Sequence, residues 1–240
     1  MNNPAIVVAT ATRQGTGENN ADAASVFTAS DGTVAAALID IAGHHPGAPV
    51  LADRLAWRAA AIGAGYGATA AVLDAAALVA DPGDGLGAGP LPDGAIVVTV
   101  LRPGRPPRIC AAGDSVAYGW DGRRLTARTV PQGVGDDLRV GLGTAVATTV
   151  AAATAPAGEM LLLVSDGADP GRGTLEALAR EHAADPQALA DAIVAAAAAD
   201  GAGCRDDATA IVVGPEPPAR EFRRLPPPAS APRPGAPTRG

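Results

Sequence analysis

Met160-Leu161-Leu162-Leu163-Val164-Ser165-Asp166-Gly167 runs five apolar residues straight into a hydroxyl, a carboxylate and a glycine. A continuous apolar run of that length reads as a strand buried on both faces. The Asp-Gly that follows is turn chemistry, so the sequence sets the Asp166 carboxylate at the end of a strand. The same arrangement recurs along the chain. The apolar run Val34 to Ile39 leads to Asp40, with Gly43 beyond it. The strand through Cys110 leads to Gly113-Asp114-Ser115. Asp206 and Asp207 precede the apolar run Ala208 to Val213, and Asp22 lies in a polar loop before Ala24. Five separate places therefore present a carboxylate at a strand end.

Taken singly, each of these aspartates is a cap or turn residue. Converging at one end of a sheet, they would repel one another and lose hydration, a penalty that a divalent cation removes. No His or Cys spacing accompanies them, so oxygen-only ligation points to a hard metal, Mg²⁺ or Mn²⁺.

The remaining elements alternate between strand-like and helix-like stretches. Ile6 to Ala11 reads as a strand. Ala24 to Thr28 and Thr33 to Asp40 form a hairpin across Ser30-Asp31-Gly32. Ala95 to Leu101 pairs with Arg108 to Ala112, and Val116 to Trp120 with Arg123 to Thr129 across Asp121-Gly122, a solvated turn. Val50 to Ile62 and Ala68 to Ala80 read as helices separated by Gly63, Gly65 and Gly67, as do Leu175 to Ala183 and Pro186 to Ala199. Trp57 falls at core spacing in the first helix. Gly83 to Gly94 is a Gly/Pro/Asp loop. Hairpins outnumber crossovers, so antiparallel sheets covered by helices fit better than a doubly wound parallel sheet.

Length and composition agree with one domain. The chain has 240 residues, 48% of them apolar and 2% aromatic, so the core is built from Ala, Val, Leu and Ile. Residues 1–214 are expected to fold, and the Pro/Arg-rich stretch 215–240 to form a disordered tail. A formal net charge of −7 argues against a nucleic-acid surface. No apolar stretch reaches membrane-spanning length and no signal peptide is visible, so a cytoplasmic monomer is expected. Cys110 and Cys204 are read as buried, reduced thiols.

These segments resemble the metal-dependent type 2C (PPM) Ser/Thr protein phosphatases, in the expected order over nearly the whole folded chain. Ala112-Gly113-Asp114-Ser115-Val116-Ala117-Tyr118 is similar to that family's GDSRxY turn. Leu161 to Gly167 is similar to LLxxSDG, and Asp206-Asp207-Ala208-Thr209 to DNxT. Asn20-Ala21-Asp22 sits where the family has NED, and Asp40 with Gly43 and His45 where it has DGxGGH. The resemblance implies an α/β (α+β) four-layer αββα sandwich, two antiparallel sheets with helices outside.

It also implies a mechanism in which a water between two metals attacks the phosphate of a phosphorylated protein. By resemblance Asp40 bridges two Mn²⁺ or Mg²⁺ ions, Asp166 and Asp206 hold the first, and Ile41 offers its carbonyl. Asp22 binds metal directly or through water, and Asp114 matches the aspartate of a third metal, with Asp169 a helper shifted by one position. Arg13 is the candidate for the family's phosphate-binding arginine, whose own position falls on Gly17, and His45 for a proton donor to the leaving group. The chain departs from the pattern at Ala21, Ile41, His44 and Asp207 as well. Ile41 stands where glycine is usual, and a β-branched residue disfavours unusual backbone angles. Two functions follow as expectations: a metal-dependent Ser/Thr phosphatase, or a regulatory, phosphoprotein-binding module on the same fold with little turnover.

Overall fold

Alternation of side chains between two buried faces organises this structure, a computed structural model that describes residues 6–43, 45–80, 93–134, 137–199 and 203–215. Twelve strands are found among the described residues. β1 (Ile6–Arg13), β6 (Val116–Trp120), β7 (Leu125–Ala127), β11 (Met160–Val164) and β12 (Ala208–Pro215) form one antiparallel sheet in the order β1-β12-β11-β6-β7. β2 (Asp22–Thr28), β3 (Val34–Ile41), β4 (Gly94–Leu101), β5 (Arg108–Ala112) and β10 (Ala151–Thr154) form a second, in the order β10-β5-β4-β3-β2. β8 (Gly133–Val134) and β9 (Asp137–Leu138) make a small separate hairpin.

The quoted run shows why the two sheets stack. Leu161 and Leu163 point into the layer between the sheets, against Ala36, Leu38, Val97, Ile211 and Val213. Met160, Leu162 and Val164 point the other way, under α3 (Arg172–His182) and α4 (Pro186–Ala196). β3 alternates likewise: Ala36 and Leu38 face the partner sheet, while Ala35, Ala37 and Ile39 face α1 (Ala48–Tyr66) and α2 (Ala68–Val79). Strands covered on both sides must be apolar at every position. The result is the four-layer αββα sandwich, mixed α/β, that the sequence implies.

The helices lie close to the sheets because small residues face them. α1 buries Ala48, Ala52, Leu55, Ala56, Ala59 and Ala60, the spacing of one helical stripe. It does not stop at Gly63 as the glycine spacing suggests. Gly63 lies against Ala35, Val98 and Val100, where a side chain would crowd the sheet, and the helix continues past Gly65. Only Gly67, at φ +100°, breaks it, donating its N–H to Gly63 O at 2.8 Å. Trp57 is 63% exposed rather than core. Two positions on from Leu55 it is rotated by about 200° out of the buried stripe. α4 starts on Asp185, whose carboxylate accepts the N–H of Ala188, with Pro186 in the first turn.

Three of the four residues of the edge strand β10 are alanines, which disfavour strand; pairing with β5 holds it. Asp121 accepts N–H bonds from both Arg123 and Arg124 in an exposed turn, which shortens β7 to begin at Leu125. Cys110 is buried as expected, but Cys204 is exposed. β12 runs to Pro215; the expected tail lies outside the described residues, as do most of the Gly83–Gly94 loop and His44. Among the described residues no helix is long and apolar enough to cross a membrane.

Leu163 is fully buried between the sheets. Leu163→Ala is expected to lower the unfolding free energy by about 3 kcal/mol, with the secondary structure retained. Urea denaturation followed by circular dichroism measures it; a loss under about 1 kcal/mol would contradict the packing described.

Candidate metal centre

Antiparallel pairing brings the five carboxylate-bearing strand ends to one end of the sandwich. In the second sheet Asp22 opens β2, directly across from Asp40 near the end of β3, and Asp40 in turn faces Ala95 at the start of β4. Asp114 occupies the turn from β5 to β6. In the first sheet Asp166 follows β11, and Asp206 and Asp207 precede β12. One carboxylate oxygen from each of Asp40, Asp114 and Asp166 falls within 4.8 Å of the others. Asp40 and Asp114 are half-buried and Asp166 is exposed, so the cluster opens to solvent on one side.

Local contacts fix each carboxylate. Asp166 heads a short 3-10 turn (Asp166–Ala168) and accepts the N–H of Gly167 at 2.6 Å. Gly167 is required by close approach: a Cβ there would overlap the carbonyl oxygen of Asp207 and lie 2.9 Å from Asp206 Cβ. Ser165 donates its hydroxyl to Asp22 Oδ2 at 2.9 Å and accepts the N–H of Thr209 at 2.9 Å, tying β2 to β12 across the two sheets. Asp207, buried at 3% exposure, accepts the N–H of Gly15 at 2.7 Å and of Ala21 at 2.6 Å. Its charge, a departure from the family pattern, is held by the backbone of the segment between β1 and β2 and still helps to raise Asp22.

The electrostatics are those of acids crowded without compensation. Burial pushes Asp22 up to about 7, against the pull of its bonds from Ser165 and Thr209. Asp40 is raised well above the usual carboxylate range by burial, then by the charges of Asp22, Asp166 and Asp114. Asp114 rises to about 6 through burial and the charges of Asp166 and Asp206. The second oxygen of Asp22, Oδ1, is buried without a hydrogen-bond partner. An oxygen-only nest with a spare buried oxygen and suppressed ionisation fits a hard divalent cation, which would supply the missing positive charge.

Other predicted residues are arranged differently. Asp206 flanks the cluster but is not one of the three that meet; its Oδ1 accepts the N–H of Asp207 at 2.8 Å. Ile41 ends β3 in ordinary strand pairing opposite Gly94, and no non-glycine among the described residues has a positive φ, so its side chain imposes no strain. Arg13 does not meet the carboxylates. It lies opposite Ala208, on the face that packs under α4, and its guanidinium donates to Ala197 O at 3.3 Å. His45 is exposed and its Nδ1 accepts the N–H of Gly47 at 3.2 Å, which makes it part of the lead-in to α1.

The sequence reading overlooked Arg172. An open groove of about 480 Å³ beside the cluster is lined by Asp114, Asp166, Tyr118, Asp169, Gly171 and Arg172, the one cation among its described lining residues. Asp169 accepts Tyr118 OH at 2.6 Å and the N–H of Gly171 at 2.8 Å, which braces the start of α3. Burial and that bond raise the Tyr118 hydroxyl above its ordinary value. The only signal in the sequence was a basic residue in the first helical turn, where acidic ones are usual.

The sequence model of the stage II sporulation protein E (SpoIIE) family matches residues 96–215, half of the chain. The chain belongs to the stage II sporulation protein E family. The matched segment contains Asp114, Asp166, Asp206 and Asp207; Asp22 and Asp40 precede it. Solved structures extend the likeness to this member's whole sandwich. The serine/threonine phosphatase Stp1 of Staphylococcus aureus superposes with a TM-score of 0.68 at 16% identity, over 87% of this chain and 94% of that one. The PPM Ser-Thr phosphatase MsPP of Mycobacterium smegmatis gives 0.64 at 23% identity, over 87% and 97%. The serine/threonine phosphatase of S. agalactiae gives 0.70 at 13%, over 88% and 100%. No curated protein matches the chain. The SpoIIE-family chain therefore has the bacterial PPM phosphatase fold, as its motifs imply.

The raised carboxyl groups make stability depend on pH. Asp22 and Asp114 bind protons in the folded state up to about 7 and 6, whereas the unfolded chain releases them near 3.8. Their contribution is complete below about pH 4 and is lost as pH rises through the folded values. In chelator the melting temperature is expected to fall between about pH 5 and pH 8, and Mn²⁺ added at the higher pH to raise it again. A melting temperature indifferent to Mn²⁺ would contradict a cation site here.

Proposed function

We propose that this chain is a metal-dependent phosphatase that hydrolyses phosphoserine and phosphothreonine in proteins. The observation that carries the reading is the meeting of Asp40, Asp114 and Asp166 within 4.8 Å, with Asp114 and Asp166 lining an open groove. The fold shared with bacterial Ser/Thr phosphatases supports it. An open groove suits an exposed residue on a protein better than a closed pocket for a metabolite would.

Asp40 would hold two Mn²⁺ or Mg²⁺ ions, with Asp166, Asp206 and the Ile41 carbonyl completing the set, Asp22 acting directly or through water, and Asp114 serving a third. Such cations, when bound, activate water at neutral pH and neutralise charge on the phosphoryl oxygens. The chain's own residues do the rest. Ser165 holds the Asp22 carboxylate in one orientation, and the proton carried by the crowded acids is displaced as positive charge arrives. Arg172 and the uncapped N-terminus of α3 face the groove as donors for an anion. They would orient the substrate phosphate in place of Arg13, which Ala197 engages.

That engagement of Arg13 favours a second reading, a phosphoprotein-binding module with little turnover. Hydrolysis of para-nitrophenyl phosphate and of a phosphothreonine peptide separates the two. The phosphatase reading expects turnover with Mn²⁺ or Mg²⁺ that chelator abolishes and that falls at least about 100-fold in folded Asp40→Asn and Asp166→Asn proteins. No turnover by the folded wild type with either metal, together with binding of the phosphopeptide, would leave the binding reading. Arg172→Ala is expected to raise KM for the phosphopeptide by about tenfold with kcat little changed and metal affinity intact. An unchanged KM would remove Arg172 from the site.

A further inference from the structure

The second sheet is left uncovered at the corner where α1 gives way to α2. There Val100, Arg108 and Thr154 stand in one cross-strand row on β4, β5 and β10, facing the helix side. The break at Gly67 ends α1 and starts α2 beside this row, and the turn from β4 to β5 rises on the other side. Together they enclose a groove of about 860 Å³, larger than the one at the carboxylates. It lies at the opposite end of the strands. Asp40 pairs with Ala95, and Val100 is five residues further along β4, about 17 Å away.

The lining has one sign of charge. Arg102, Arg105 and Arg108 all border the groove, and among the described residues no Asp or Glu does, on a chain whose formal net charge is −7. Arg108 is oriented by donating to Thr154 Oγ1 at 2.7 Å. Asp31, exposed on the β2–β3 turn and outside the groove, couples to Arg102, while Arg105 makes no ion pair among the described residues. The 79%-exposed Tyr66 adds a hydroxyl, while Thr69 is engaged by the Cys110 thiol. The first turn of α2 also borders the groove, with neither a side-chain cap nor an acidic residue to occupy its N–H groups.

Three guanidinium groups held around one space repel each other, and a multiply charged anion removes that repulsion. Guanidinium forks match the several equivalent oxygens of a phosphoryl group, whose charge near pH 7 approaches two. The volume exceeds what a bare phosphate needs and leaves room beside Tyr66 for the group that carries it.

We propose that this groove is a second anion site, which binds a phosphate monoester at the far end of the sandwich from the metal centre. The phosphoryl group belongs to a phosphorylated residue of a protein or to a free small phosphate; the arginines and the helix N-terminus recognise what both have in common. The site does not depend on turnover at the carboxylate cluster.

The test uses the full chain in chelator, where no cation draws an anion to the carboxylate cluster. Binding of inorganic phosphate and of a phosphothreonine peptide is measured by titration calorimetry, on wild type, Arg102→Ala/Arg105→Ala and Asp166→Asn. Both arginines sit at or beside an exposed turn, and unchanged melting temperature confirms folding. Binding is expected in wild type and Asp166→Asn, to weaken by about tenfold or more in the arginine variant, and to weaken with salt. Tighter binding of the peptide assigns the phosphoryl group to a protein; equal affinity assigns it to free phosphate. Equal binding by the arginine variant, or none by either probe at concentrations up to about 10 mM, overturns the proposal.

Discussion

Two carboxylates stand directly opposite each other on neighbouring strands, Asp22 on β2 and Asp40 on β3, and the structure is built to keep them there. Like charges in that cross-strand position repel, and burial adds the loss of hydration. Asp166 and Asp114 arrive from the other sheet and from the β5–β6 turn to increase the crowding. Within the cluster only a hydrogen bond between the Asp40 and Asp166 carboxyls offsets the repulsion. The arrangement is imposed by the apolar layer between the sheets, by the hydroxyl of Ser165 linking Asp22 to β12, and by the buried Asp207 fastening the backbone at Gly15 and Ala21. The core supplies the stability that holds the crowded carboxylates together.

The opposite end of the same strands carries the opposite sign. Acidic residues crowd where β3 and β11 end, and arginines ring the corner reached by β4 and β5. A molecule so polarised orients in an electrostatic field, and a charged partner meets its two ends differently before contact. The antiparallel layout keeps the two sets of residues at opposite ends of the same strands.

Much of this was legible in the sequence because the signals were local. Runs such as Met160 to Val164 are apolar at every position, and that pattern has few explanations besides a strand covered twice. Asp40, Asp114 and Asp166 were each marked by a glycine within a few residues. What stayed hidden depended on distance or on direction. Arg13 is near the expected place in sequence, yet strand alternation points it at Ala197 under α4. Trp57 has the spacing of a core residue within a window but the wrong rotation on the actual helix. Asp207 looked like surplus charge, because its partners Gly15 and Ala21 lie more than 180 residues away. Gly63 and Gly65 looked like helix breaks; contact with the sheet at Gly63 lets α1 run through. Arg172 carried no motif, and only the groove beside Asp166 made it visible.

β12 lies between β1 and β11, and Thr12 meets Thr209 across 197 residues of chain. During synthesis β1 therefore emerges long before the strand it pairs with, by about 10 to 40 s at ordinary ribosomal rates. The second sheet, whose strands are all made earlier, can close with its helices in that interval; the first sheet cannot. Asp206, Asp207 and the Thr209 N–H that Ser165 accepts all arrive with the same late strand. A nascent chain that has not released β12 holds Asp22, Asp40 and Asp114 on or beside its second sheet but lacks Asp206 and Asp207.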